Sequence, residues 1–495
     1  MKIVEAFALL LAACLIPAVA HAQAPAQAPA KEPSAQHGFV LPSTAKPWTG
    51  DLDGMIKRRR IRVLVPFSKT FYFVDRGVQR GLAYDVTRLL ERDLNNKLKT
   101  GHIRVDVVCV PVARDEMIRA LVEGRGDFAA GNLTITPERL KQVDFTNPTG
   151  RNAKEIVVTG PGAEPIGTVE DLAGKEIYIR KSSSYYESIE TLNAELAKAR
   201  KAPVKVRLAP ENLEAEDILE MVNAGLVNGT IAEDYIAGFW KQIFTKLTPH
   251  PGAAVRTGGE IAWMVRKESP QLKAELNAFL ARFEKSGQRN ELLVKYLKNT
   301  RWAKAATSQE EIAKFEQTIE LFRTYSDRYD VDYLLVMAQG YQESQLNQGA
   351  RSPVGAIGIM QVMPATGKDM RVGDITQIEA NIHAGVKFLR AMLNEYYAKE
   401  PMTPLNKGLF TFAAYNAGPG RVRQLRRLAA ERGLDATVWF NNVELIAAEK
   451  IGRETVTYVS NIYKYYLAYQ MLEEQRVERE KAKGAIKQAP GQVAR

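Results

Sequence analysis

The spacing of apolar residues changes once along this 495-residue chain, near 300–305, and no other feature constrains the fold as strongly. Before the change, short β-branched runs alternate with helical patterns. IRVLVPF (61–67), IRVDVVCVPV (103–112), EIVVTG (155–160), EIYIR (176–180) and KVRLA (205–209) read as strands. GLAYDVTRLLERDLNNKL (81–98) and RDEMIRALVEG (114–124) read as helices. Such alternation predicts α/β layers with largely parallel sheets, and the pattern runs twice, so two lobes are expected. After the change, strand signals nearly vanish. EEIAKFEQTIELFRTYSDRYD, DYLLVMAQGYQES, IEANIHAGVKFLRAMLNEYY, NKGLFTFAAYNAG and TVTYVSNIYKYYLAYQMLEE all follow the helical period. The expected fold is multidomain: a two-lobed α/β domain over 55–302, then an all-α domain over 303–472.

The first residues place the chain. MKIVEAFALLLAACLIPAVAHAQA carries Lys2, an apolar run and the small-residue site Ala20-His21-Ala22. That is a secretory leader over 1–22, cleaved after Ala22. Export to the periplasm is expected, with a peripheral position at the inner face of the outer membrane. Nucleic acid is then not an expected partner, and the formal charge of +11 points to other anionic polymers or surfaces. A second reading stays open. Leu11-Ala12-Ala13-Cys14 has the shape of a lipoprotein cleavage box, with Cys14 acylated, although the apolar stretch after Cys14 counts against it. No other apolar run reaches the ~18–20 residues that span a bilayer.

Residues 23–54, rich in Ala, Pro and Gln, read as a linker, and 473–495 read as a charged, disordered tail. Without the leader, Cys109 stands alone, so no intrachain disulfide is expected. The five His form no spaced cluster with it. Neither a metal nor a cofactor is expected.

One carboxylate draws attention. Glu343 sits near the end of the helix predicted from DYLLVMAQGYQES, for which Asp332 is the expected N-cap. No other Asp or Glu follows until Asp369, beyond a loop of Gly, Pro and small residues. A carboxylate at a helix C-terminus meets the negative end of the macrodipole, which raises its pKa. A raised pKa suits a proton donor. Taken alone, Glu343-Ser344 reads better as a solvated last turn.

Its company changes that reading. Glu343-Ser344, Gly358-Ile359-Met360-Gln361, Ala414-Tyr415-Asn416-Ala417-Gly418, and Glu454-Thr455 with Tyr458-Val459 follow one another in this order. Together they resemble the four motifs of the lytic transglycosylase domain, a goose-type-lysozyme-like helical fold, over about 325–470. The resemblance implies that Glu343 protonates the β-1,4 bond between N-acetylmuramic acid and N-acetylglucosamine in peptidoglycan glycan strands. Glu343 would then act as base on the muramoyl O6 hydroxyl, which closes a 1,6-anhydro ring. An intramolecular attack needs no second carboxylate, whereas a hydrolase places one at ~6.5–9.5 Å or ~5–5.5 Å. It also implies substrate contacts for Ser344, Met360, Gln361, Asn416, Glu454 and Tyr458. Tyr415 would face Glu343 and orient it. Bland readings stand beside these: Met360 and Ile359 as core, Tyr415-Asn416 as a turn, Tyr458 as helix packing and Ser344 as a helix cap. Gln345 stands where the family often has Gly.

The front half carries a second resemblance. GNLTITPERLKQVDFTNP (131–148) places Thr136 as N-cap and Pro137 at the first helical position. Over about 60–300 the chain resembles the family-3 solute-binding domain. By that resemblance Arg139 grips the α-carboxylate of an amino acid or muropeptide, a bidentate task for Arg rather than Lys. Thr134 and Thr136 would add contacts, Asp234 would meet the ligand's amino group, and Ser183 or Ser184 would offer backbone amides. The run KRRRIR (57–62) reads as a solvated charged face. The expected function is a peptidoglycan lytic transglycosylase with a binding domain that regulates it. The alternatives are a solute-binding sensor anchored to glycan and a lysozyme-type hydrolase.

Overall fold

The computed structural model of the chain describes residues 47–488, apart from 76, 307 and 308. The expected leader, Cys14, most of the linker and residues 489–495 lie outside the described residues. Seven strands form the main sheet: β1 (Arg60–Val65), β2 (Asp106–Pro111), β3 (Phe128–Thr134), β4 (Asp144–Phe145), β5 (Gly150–Thr159), β6 (Gly229–Glu233) and β7 (Thr248–Val265). Their order is β6-β5-β7-β3-β1-β2, with β4 beside β7. β1 runs parallel to β2 and to β3, but the sheet is not largely parallel as the alternation predicts, because the other pairings are antiparallel, β6 with β5 among them. β7 is antiparallel to β3, β4 and β5. Its 18 residues include Pro249, Pro251, Gly252, Gly258 and Gly259, and its register along β5 shifts repeatedly. Those breakers hide the strand from a reading by periodicity.

Strands Glu176–Ile179 and Lys205–Leu208 pair in parallel in the second lobe, over a core that includes Leu172, Ile177, Ile189 and Leu192. The other lobe buries Val63, Leu90, Val107 and Phe128. Trp302 stacks on Phe73 and Phe239, which seats the helix Arg301–Ala306 on this α/β domain.

The folded domain starts earlier than expected. Residues 51–54, read above as linker, open the helix Leu52–Lys57, whose Met55 is fully buried. Asp51 caps it and also accepts from the backbone N–H of Gln271 and Leu272 at 2.8 and 2.9 Å. One carboxylate thus ties two helix starts together. The charged run 57–62 is not a solvated face either. Arg58 and Arg62 both pair with Asp127, which is fully buried. Arg59 pairs with Glu444 of the helical domain, and the Arg60 guanidinium lies 5.2 Å from the ring of Tyr463. Buried partners far away in sequence recruit the charges that local spacing assigns to solvent.

The helical domain is built on α1 (Gln309–Tyr329), α2 (Tyr333–Ser344), α3 (Ile378–Met392), α4 (Pro404–Ala417) and α5 (Arg453–Gln488). Phe322, Leu335, Ile382, Leu389, Phe410, Phe412, Trp439 and Val459 fill its core. α5 packs on α2 and α4, and reaches the front domain along β2. Residues 473–488, expected as disordered tail, continue α5 as helix. Their sequence, EEQRVEREKAKGAIKQ, is dense in strong helix formers, and Ala482 packs against the α/β core.

The two domains share a polar seam. Asp106 on β2 accepts from Ser460 Oγ at 2.7 Å and from Lys464 Nζ at 3.0 Å. The Tyr469 hydroxyl donates to the carbonyl of Gly77.

Candidate functional site

The local sequence around Glu343 makes a helix with a defined start and stop. Asp332 accepts from the N–H of Leu334 at 2.9 Å, as an N-cap should. Beyond Ser344 the chain turns left-handed at Gln345 (φ 56°) and Leu346 (φ 59°). The helix-terminating position favours Gly, which accounts for Gly being frequent where Gln345 stands. Glu343 is half-buried in the last turn. Burial pushes its carboxyl up to about 7, and a hydrogen bond from Tyr458 opposes the rise. The Tyr458 hydroxyl donates to Glu343 Oε1 at 2.5 Å. Behind it, the fully buried Gln339 donates through Nε2 to the Tyr458 oxygen at 3.2 Å. The sequence reading missed Gln339. The available signal was a polar residue four positions before Glu343, hence on the same side of α2.

Several expected roles shift once side chains are in place. Tyr415 does not bond Glu343. Its hydroxyl donates to the Met360 carbonyl at 3.0 Å, while burial, and then the nearby Glu343 charge, push its phenol well up. Tyr458, on α5, is the tyrosine that bonds the acid. Met360 is fully buried, so its side chain is core rather than groove wall. Ser344 Oγ donates to the Ile359 carbonyl at 2.9 Å and accepts from the Asn347 N–H at 3.0 Å, sealing the helix end to the following loop. Gln361 is half-buried, and its amide donates to the Gly358 carbonyl at 2.8 Å.

That loop is held by two amides. Asn381, fully buried on α3, accepts from Met360 N–H at 2.9 Å and donates to the Ile357 and Ile375 carbonyls at 2.9 and 2.8 Å. Gln348 Oε1 accepts from the Ile359 N–H at 3.0 Å. Gly358 has φ 79°, and a Cβ there would lie 2.5 Å from Asn381 Nδ2, so only glycine fits. Asn416 ends α4 near the start of α5 and accepts from Thr455 Oγ1 at 2.7 Å. Glu454 is exposed in the first turn of α5. It is Thr455, its neighbour, that contacts the third motif. Among the described residues no second carboxylate bonds Glu343 or contributes to its shift.

A second site lies between the lobes of the front domain, a cavity of about 230 Å³. Thr136 caps the helix Pro137–Gln142 as expected, and Arg139 reaches from it to the Thr134 carbonyl at 2.8 Å and the Ser182 carbonyl at 3.1 Å. Thr134, Arg139 and Ser183 line the cavity. Ser183 caps the next helix and donates to the Arg180 carbonyl at 2.6 Å. Asp234 is not in the lining: it accepts from the Tyr235 N–H at 3.0 Å. Glu187, Glu214, Glu216 and Glu233 are among the acids that line the cavity; Glu233, at the end of β6, accepts from the Tyr185 hydroxyl at 2.6 Å, and burial raises its pKa. The strand ends at Glu233 and Asp234 opens the helix Asp234–Lys241, so a one-residue offset moves the acid out of the lining.

Residues 63–299 match the family of bacterial extracellular solute-binding proteins, family 3, and residues 320–437 match the transglycosylase SLT domain. Curated relatives of several organisms carry the name membrane-bound lytic murein transglycosylase F. That of Desulfosudis oleivorans is 25% identical over 430 residues, 82% of this chain and 89% of its own. That of Pseudoalteromonas translucida is 25% identical over 447 residues, 87% of this chain and 90% of its own. That of Pseudomonas putida is 26% identical over 450 residues, 86% of this chain and 88% of its own.

Proposed function

We propose that this chain, which joins a family-3 solute-binding domain to a transglycosylase SLT domain, is a peptidoglycan lytic transglycosylase that cuts the N-acetylmuramic acid–β-1,4–N-acetylglucosamine bond without water. One observation carries the chemistry: Glu343 is a carboxyl with no carboxylate partner among the described residues, pushed up to about 7 by burial. At that value it is largely protonated in mildly acidic solution and can give its proton to the glycosidic oxygen as the C1–O bond breaks. The resulting carboxylate takes the proton of the muramoyl O6 hydroxyl. O6 bonds to C1, and the product ends in a 1,6-anhydro ring. The tethered nucleophile replaces the positioned water and second carboxylate of a hydrolase. Tyr458 orients Glu343 and stabilises its charged form between the two steps. Gln361, Asn416 and Glu454 are the proposed glycan contacts, with Ser344 and Met360 shaping the groove through the loop they hold.

In the front domain the proposed ligand is an amino acid or muropeptide. Arg139 meets its carboxylate and Glu233 its amino group, beside Thr134 and Ser183. Ligand binding there regulates access to Glu343 across the seam between the domains. The proposed place of action is the periplasm, at the inner face of the outer membrane.

The test is digestion of purified sacculi by the mature protein and by Glu343→Gln, with products read by mass spectrometry. Anhydromuramoyl ends from the wild type alone support the reading. Reducing ends mean that water attacks and the protein is a hydrolase. No product from either variant moves the weight to the binding domain.

A further inference from the structure

We propose that Gln339 is a positioning residue for this reaction: its amide donates to the phenolic oxygen of Tyr458 and thereby commits the Tyr458 proton to Glu343. The inference rests on Glu343 being the acid and base.

The chain of donors runs from Gln339 Nε2 to the Tyr458 oxygen at 3.2 Å, and from the Tyr458 hydroxyl to Glu343 Oε1 at 2.5 Å. A phenol has one proton. With a donor already on its oxygen, that proton goes forward to the carboxylate. Gln339 and Glu343 are four residues apart on α2, so one turn of rigid helix fixes both ends of the relay. The titratable groups facing Glu343 are Tyr458 from α5 and Tyr415 from α4. α2 itself brings no charged side chain between Asp332 and Glu343. A neutral relay is therefore the main lever on the acid besides burial.

A second observation points away from a packing role. Gln339 is fully buried, and its Oε1 has no hydrogen-bond partner among the described residues. An orphaned buried carbonyl is destabilising, and native structures hold few. Leucine or methionine would fill similar space on this buried stretch of α2 without it. A residue that is poor for stability and aimed at the acid's partner has the character of a functional one.

When Glu343 has given up its proton, the aimed Tyr458 hydroxyl stabilises the charge. Removing the amide leaves the hydroxyl free to turn and weakens that support. Glu343 then becomes a weaker acid.

The experiment measures anhydromuramoyl release from soluble glycan chains against pH, with full-length protein. Gln339→Met is expected to melt no lower than wild type, to lose several-fold in rate, and to move the alkaline limb up by about half a unit. In a Tyr458→Phe background the same change is expected to shift nothing further. A wild-type pH profile in Gln339→Met, or an equal shift with and without Tyr458, overturns the relay. If Gln339→Met does not fold, Gln339→Leu is held to the same outcomes. Glu343→Gln separates the two claims. If it stays active, the reading of the acid fails; if it is dead while Gln339→Met keeps the wild-type profile, only the relay fails.

Discussion

Arg114 of one lobe grips Glu214 of the other, its Nε lying 3.0 and 2.8 Å from the two carboxylate oxygens. Arg180 Nη1 meets the same carboxylate at 2.9 Å. The lobes are latched by a carboxylate of the protein itself, at the wall of the binding cavity. Removing one member of a buried ion cluster leaves the others uncompensated. Glu214→Gln is expected to lower stability by about 3 kcal/mol, read as a drop in the denaturation midpoint. An unchanged midpoint would mean that the latch bears no load.

Glu343→Gln removes the only proton donor proposed for the bond cleavage. Anhydromuramoyl release is expected to fall at least ~10²–10⁴-fold, with the circular dichroism spectrum unchanged. A variant that retains a tenth of the wild-type rate would exclude Glu343 as the acid.

The pH dependence follows from the raised value of the same group. Glu343 acts as acid only while protonated, so the rate should decline as pH rises through about 7. Stability carries the same sign. The folded value lies above the ~4.3 of an unfolded glutamate, so the contribution is whole below that and is lost as pH passes about 7. Glu343→Gln, neutral throughout, should therefore melt higher than wild type at pH 8 and close to it at pH 4. Parallel melting curves at the two pH values would contradict the shift.

Arg139→Lys keeps the charge but loses the planar fork. Calorimetric titration with tripeptides or amino acids that bind the wild type should show at least a tenfold loss of affinity. Equal affinity would place the ligand's carboxylate elsewhere in the cavity.

How far these features could be read from the sequence depended on whether their partners were local. The N-caps Asp332 and Thr136 were legible because a cap bonds within three residues. β1 and β2 were legible from unbroken β-branched runs, and β7 was not, because its Pro and Gly break the pattern. The charges at 57–62 were misread as solvated because Asp127 and Glu444 are remote in sequence. Tyr458 and Tyr415 are equivalent by composition, and only the packing of α5 on α2 assigns the bond to Tyr458. Glu233 and Asp234 are neighbours on either side of a strand–helix boundary, and such boundaries are the least legible part of a sequence.

The seam between the domains offers a further check. Lys464 sits 3.0 Å from Asp106 and 3.7 Å from Glu91, largely out of solvent. Lys464→Met removes the cation these two carboxylates share, leaving Asp106 with Ser460 and Glu91 with Arg88, and should loosen the junction, read as faster proteolysis between the domains and a stability lowered by about 1–3 kcal/mol. Unaltered digestion would assign the docking to the apolar contacts alone.

α5 links both ends of this geometry in one rod. Tyr458, which holds the acid, and Tyr469, which bonds Gly77 of the front domain, are 11 residues apart, about three turns and ~16 Å along the axis. Three whole turns place them on one stripe of the helix. Unbroken helix joins the two positions, so their spacing along the axis is set by the helical rise. The hydroxyl that supports Glu343 and the one that meets the front domain thus hang from a single axle.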